Sequence, residues 1–427
     1  MFAGAFMMGA KDRLLPPSVP YRFFATAIIM HVAGWAALLA GATDLPGFLG
    51  GLGPVLAGLH LITLGVLAMT AMGAAFQMLP VATRRQLGPI WACRLTWWLF
   101  TPGVIVLSLG LGTAWPWALT LGAGLSVAGL AVFGVLVARN LMQVGDLPGV
   151  THHAWIAMAA LAALALLGIL LVADIDGGFL PDRGRVAAAH AVLAGYGFMG
   201  MLAMGFSTVL IPMFILAQGP SERVSIWVAR LSALALALAV GGILAEWNAV
   251  AALGGLVGLV AAGLHVRSLV AVLKSRMRKK LETFFRMVKA AWVMLPVSLA
   301  CGVAALFADV ASLWGLLLVL GWLLTFVTGI LQRIMPFLAS MHSGGGPGIK
   351  PIMLSQLVAE RPLAIHAACH GAAIALIAAG MVAGSGISTA LGAACGLAGA
   401  LSFAVFAWLL MRRYQAHQQA SSKPLGT

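Results

Sequence analysis

The chain has 427 residues, 62% of them hydrophobic and only 8% charged. That composition excludes a soluble globular enzyme and points to a polytopic membrane protein. The net charge of +14 is then expected in loops on one membrane face, and the basic stretches lack the interleaved aromatics of a nucleic-acid-binding surface.

The chain opens on MFAGAFMMGAKDRLLPP. Its basic residues follow the apolar run instead of preceding it, which makes a poor signal peptide. Windows of about 20 apolar residues then predict twelve spans. They lie near 22–42, 52–80, 89–111, 115–138, 153–173, 186–216, 224–245, 248–272, 288–308, 311–338, 362–384 and 387–411. Between them, 174–185 reads as an acidic-then-basic connection, 273–287 as a strongly basic loop, and 339–361 as a loop holding the Gly-rich piece SGGGPGIKP. The polar tail after Tyr414 is expected to fray. Cys93, Cys301, Cys369 and Cys395 all fall in apolar segments, so no disulfide framework is read.

With a cytoplasmic N-terminus, all 25 Lys and Arg except Arg183 and Arg185 fall on the cytoplasmic side. That asymmetry orients the chain with both termini inside, in the inner membrane of a bacterium. The run from Lys274 to Lys280 is expected to meet anionic lipid or a cytoplasmic partner.

Within this series one spacing occurs three times. Gly65, Gly73 and Pro80 are matched by Gly197, Gly205 and Pro212, and by Gly321, Gly329 and Pro336. The three sets lie on spans 2, 6 and 10, so the expected unit has four helices and all copies run the same way. The fold class is thus an all-α membrane protein, a single integral membrane domain of 12 transmembrane helices in three parallel four-helix repeats. The units cover about 22–138, 153–272 and 288–411. A second marker is the opening of spans 3, 7 and 11 at Ile90, Ile226 and Ile365, with Trp91 and Arg94 matched by Trp227 and Arg230. The glycines let neighbouring backbones approach, and each proline is expected to break or end its helix near the cytoplasmic face.

Twelve helices in three parallel units, entered from inside, resemble subunit I of the haem–copper oxidase and nitric oxide reductase superfamily. His60, with Gly73 and Pro80 after it, resembles the family's low-spin haem histidine on helix 2. His190 is similar in depth to its copper histidine on helix 6. The resemblance implies that helices 2, 6 and 10 line three pores and hold haem and copper in the outer half of the membrane. Two departures bear on activity. Residues 311–321 hold Trp314 and no histidine, and residues 224–245 hold no histidine pair. The resemblance therefore implies an oxidase-like fold without the oxygen- or nitric-oxide-reducing centre, and leans away from an enzyme.

Ionisable groups inside a bilayer are costly and often functional. His60 and His190 are cofactor-binding candidates: two imidazoles on facing helices suit a haem iron or two positions of a copper site. His366, Cys369 and His370 share one helical face and form a metal candidate, against a reading as small-residue packing with polar glue. Arg94, Arg230, Arg333 and Gln77 form a candidate anionic or polar inner site, with snorkelling as the plainer account. His31 reads as a packed histidine and His265 as an inner-end residue. His152, His153, His342 and His417 read as loop or tail residues.

The expected function is a haem- or copper-binding membrane protein of respiratory or nitrogen-oxide metabolism. Two other readings stand beside it: a small-solute or metal transporter, and a cofactor-free assembly partner of a respiratory complex.

Overall fold

The computed structural model describes residues 14–145, 147–277, 282–344 and 351–422. Twelve of its helices are long and apolar enough to cross a bilayer. They are α1 Ser18–Ala40, α2 Pro54–Thr83, α3 Ile90–Thr113, α4 Pro116–Leu141, α5 Pro148–Gly177 and α6 Arg183–Ile215. Then follow α7 Glu222–Leu244, α8 Asn248–Lys274, α9 Phe284–Ala304, α10 Ala311–Ser343, α11 Glu360–Ala383 and α12 Gly386–Ser422. Each predicted span has its helix. Parts of two predicted loops, Arg278–Leu281 and 345–350, lie outside the described residues, as do 1–13 of the opening segment.

Two boundaries differ from expectation. The tail after Tyr414 continues α12 to Ser422, and 423–427 lie outside the described residues. The connection at 174–185 is mostly helix, because α5 runs to Gly177 and α6 starts at Arg183. Asp174 makes that tight turn possible: its carboxylate accepts from Leu180 N–H at 2.7 Å and from Arg183 at 3.0 Å. Asp182 caps α6 by accepting from Arg185 N–H.

The windows that could span the membrane in α2, α6 and α10 are 61%, 83% and 72% buried, against 22–56% in the other nine. These three helices stand at the centre, and α10 touches both α2 and α6. The others surround them, with α4 packed on α5, α8 on α9 and α12 back on α1. Exposed Trp91, Trp98, Trp155, Trp227 and Trp408 gird the basic end of the bundle, and Trp115, Trp117 and Trp247 the opposite, acidic end, as in the aromatic belts of membrane interfaces.

Glycines set the packing. Gly65 and Gly73 of α2 face Met30 and Phe23 of α1, Gly197 and Gly205 of α6 face Ala160 and His153 of α5, and Gly321 and Gly329 of α10 face Met294 and Met287 of α9. The faced residues are seven apart in each case: 30 − 23, 160 − 153 and 294 − 287. The hairpins α3–α4, α7–α8 and α11–α12 are as regular. Gly110, Gly242 and Gly380 abut the backbone at Leu119, Ala251 and Thr389, each nine residues later. Gly122, Gly254 and Gly392 abut the backbone at Leu107, Ala239 and Ile377, each fifteen earlier.

This register corrects the second sequence marker. Counting back twenty residues from Gly110, Gly242 and Gly380 gives Ile90, Glu222 and Glu360, each the first residue of its helix. Ile226 and Ile365 do not hold the place of Ile90. Trp and Arg near a helix end report the membrane interface, whereas the glycine contacts report packing.

Each central helix also changes type at one point. π-helical segments span Leu61–Ala68, Leu193–Met199 and Leu317–Leu324. Each starts four residues before its first glycine: 65 − 61, 197 − 193 and 321 − 317. Such segments concentrate at functional sites. The prolines do not break their helices where they stand. Pro80 and Pro212 lie inside α2 and α6, which end three residues later, and α10 continues seven residues past Pro336.

Candidate functional site

His60 lies on the turn of α2 that leads into its π segment, and His190 lies just before the π segment of α6. They stand within electrostatic reach of each other. Each Nδ1 is 3.0 Å from a backbone carbonyl, Leu56 O for His60 and Leu164 O of α5 for His190. A carbonyl only accepts, so both Nδ1 atoms carry the proton and both Nε2 atoms present a lone pair. Gly168 of α5 gives the His190 ring its room: a Cβ there would lie 3.2 Å from Cε1. This is the tautomer of a metal-ligating histidine, with the second ring nitrogen held by a carbonyl.

The second candidate set divides. His366 and His370 are buried, with rings stacked at 5.8 Å between centroids. Cys369, between them, is half-buried and turns toward α12 at Gly399. In its place the structure brings His31 of α1, whose ring meets that of His366 edge-on at 5.8 Å. Trp35 Nε1 donates to His31 Nε2 at 3.1 Å and packs edge-on against His370. His366 Nδ1–H donates to Gly399 O, and its buried Nε2 has no hydrogen-bond partner among the described residues. Thr325 spends its own hydrogen on Leu320 O, so His370 Nε2–H donates to Thr325 Oγ1 at 2.8 Å. Among the described residues, no three His, Cys, Asp or Glu side chains are gathered to hold a metal ion.

The polar inner set also divides. Arg94 and Arg230 are exposed, and the Arg230 guanidinium lies over Trp227, 5.7 Å from the ring centroid. Arg333 is buried, pairs with Glu282 at 2.6 Å and lies over Phe214. Gln77 is fully buried, and neither amide atom has a hydrogen-bond partner among the described residues. In the basic loop, Lys274 is exposed and Arg276 donates to Leu273 O, while Arg278 through Lys280 lie outside the described residues.

His152, His153, His342 and His417, expected in loops or the tail, all lie within helices. α5 starts at Pro148, so His153 is already inside the helix, 1% exposed, with Nδ1 donating to Gly149 O at 2.7 Å. It packs against Gly205 and lies within electrostatic reach of buried His265. The signal was present: Pro148 is suited to a first helical position.

The sequence matches no protein-family model and no curated protein.

Proposed function

We propose that the chain is a haem- or copper-binding integral membrane protein of respiratory or nitrogen-oxide metabolism. In this reading it is a divergent relative of the haem–copper oxidase and nitric oxide reductase subunit I, built from three four-helix units with both termini on the cytoplasmic side of a bacterial inner membrane. The observation that carries it is the His60–His190 pair. Two central helices present imidazoles whose Nδ1 protons are fixed by Leu56 O and Leu164 O, leaving Nε2 lone pairs suited to a haem iron or a copper ion. Such a group supplies one-electron chemistry or diatomic-gas binding when bound. The protein's part is to hold the two half-buried rings in one tautomer between apolar helices.

The three units are supported by the matched glycine contacts and the three π segments. A transporter of two six-helix halves gives no reason for three central helices with the same contacts. The orientation is supported by the ends of the bundle: Asp174, Asp182 and Glu246 neutralise Arg183 and Arg185 at one end, and the other basic residues among those described lie toward the opposite end. Lys274 to Lys280 would there meet anionic lipid.

Losing even an outer-shell partner costs a metal site about 10–100-fold in affinity, so His60→Ala and His190→Ala are each expected to lower bound haem or copper at least about tenfold. His152→Ala, on the first turns of α5, retains it. Cofactor content unchanged in both His60→Ala and His190→Ala contradicts the proposal.

A further inference from the structure

The three hairpins and the central helices bound three compartments. Phe76, Phe100, Phe133 and Phe198 pack in the first, between α2 and α6. Trp35, His31, His366, His370 and Phe403 pack in the third, between α10, α11, α12 and α1. The second, between α6, α7, α8, α9 and α10, holds a cavity of about 380 Å³. The hairpin register explains the difference. Ten residues before Gly110 and Gly380 stand Phe100 and His370, both buried, and ten before Gly242 stands Ser232.

The cavity is a deep, narrow shaft. Its lining on α8 runs from Asn248 at the acidic end to Ala262, fourteen residues (262 − 248) deeper, which is about 21 Å of helix. Spread over that depth, 380 Å³ gives a mean section of about 18 Å². That is room for one hydrocarbon chain, and not for the paired chains of a whole lipid. The side toward the surrounding lipid is shut where Gly255 of α8 meets Val303 of α9: a Cβ on Gly255 would lie 2.3 Å from Val303 Cγ2. The shaft therefore opens at the acidic end, beside Asp182, Arg185 and Asn248.

We propose that this shaft holds one acyl chain of a phosphatidylethanolamine from the leaflet at the acidic end, with the lipid headgroup at the mouth. The polar groups of the wall ask nothing of an occupant. Trp314 Nε1 donates to Tyr196 Oη at 3.2 Å, Tyr196 Oη donates to Ser298 Oγ at 3.1 Å, and Ser298 donates to Leu295 O. Every hydrogen in that series is used within the protein, so an apolar chain passes it without leaving a donor unpaired. The chain exchanges one apolar medium for another, and what favours its entry is the filling of a void.

The mouth selects the headgroup. Arg185 pairs with both Asp182 and Glu246, so this cluster carries one negative charge in excess. It repels the carboxylate of a free fatty acid and an anionic headgroup, and it attracts the ammonium of phosphatidylethanolamine. Glu246 is well exposed for that contact, at 67%. This site is independent of His60 and His190.

The test is native mass spectrometry of the purified, delipidated protein, offered lipids in equimolar pairs within the same micelles. The wild type is expected to retain one phosphatidylethanolamine, and to favour dipalmitoyl over dilauroyl chains about tenfold, because the shorter chain leaves the floor empty. Ser232→Phe fills the floor as Phe100 does in the first compartment. It is expected to cancel that chain-length preference while the protein elutes as the same monodisperse species. With chains matched, the wild type favours phosphatidylethanolamine over phosphatidylglycerol about fivefold, and Glu246→Gln brings the ratio toward one. No retained lipid in the wild type overturns the proposal. So does a chain-length ratio that Ser232→Phe leaves unchanged, a headgroup ratio that Glu246→Gln leaves unchanged, or phosphatidylglycerol or palmitate bound as well as phosphatidylethanolamine.

Discussion

Gly122→Ala is expected to destabilise the protein by about 3 kcal/mol, the top of the usual overpacking range, while Gly124→Ala on the same helix changes stability by less than about 1 kcal/mol and in the favourable direction. A Cβ on Gly122 would lie 2.2 Å from Leu107 N and 2.5 Å from Leu107 Cα, and a Cβ on Gly124 meets nothing within 4 Å. Backbone cannot rotate aside as a side chain can, so α3 and α4 must separate along their length. The same contrast applies to neighbours on α7: Gly242 faces Ala251 N at 2.4 Å and Gly241 faces open space. Thermal midpoints in one detergent measure both pairs. Equal midpoints for Gly122→Ala and Gly124→Ala contradict the hairpin packing.

Gly396→Ala is the second large effect. A Cβ there would lie 2.1–2.4 Å from three ring atoms of Trp35, which is fully buried and donates to His31. The ring has no open side, because His370 meets it edge-on. The expected loss is about 3 kcal/mol, with the His31 hydrogen bond broken as the ring tilts. Trp35→Leu gives the new methyl group its room, so the double variant is expected to be more stable than the sum of the singles by about 1–3 kcal/mol. Strict additivity in the four melting curves would show that Trp35 and residue 396 are not in contact.

Hydropathy made the twelve helices legible, because the bilayer demands about 20 apolar residues whatever their neighbours. The Gly-x7-Gly spacing of α2, α6 and α10 was legible too, since close backbone approach needs glycine whichever side chain it faces. Which face of an apolar helix meets protein was much less so. Lipid and protein interior are equally apolar, and hydrophobicity does not separate them. That is why Ile90, Ile226 and Ile365 read as equivalent until Gly110, Gly242 and Gly380 set the register. It is also why His31 read only as a packed histidine, without its neighbour His366, and why half-buried Cys369 was grouped with buried His366 and His370. Spacing on one helix placed His366 and His370 together correctly. Only the packing of α12 on α1 brings His31 to them. The cavity was hidden for a related reason: Ser232 is unremarkable until Phe100 and His370 are seen at the corresponding places.

The haem or copper function requires a cofactor between His60 and His190. The direct measurement is the absorption spectrum of the purified wild-type protein, oxidised and then reduced, with iron and copper determined on the same sample. The expected result is either a Soret band that shifts on reduction, with about one iron per chain, or stoichiometric copper without one. A featureless spectrum with neither metal, from protein that is monodisperse and purified without chelator, would contradict it.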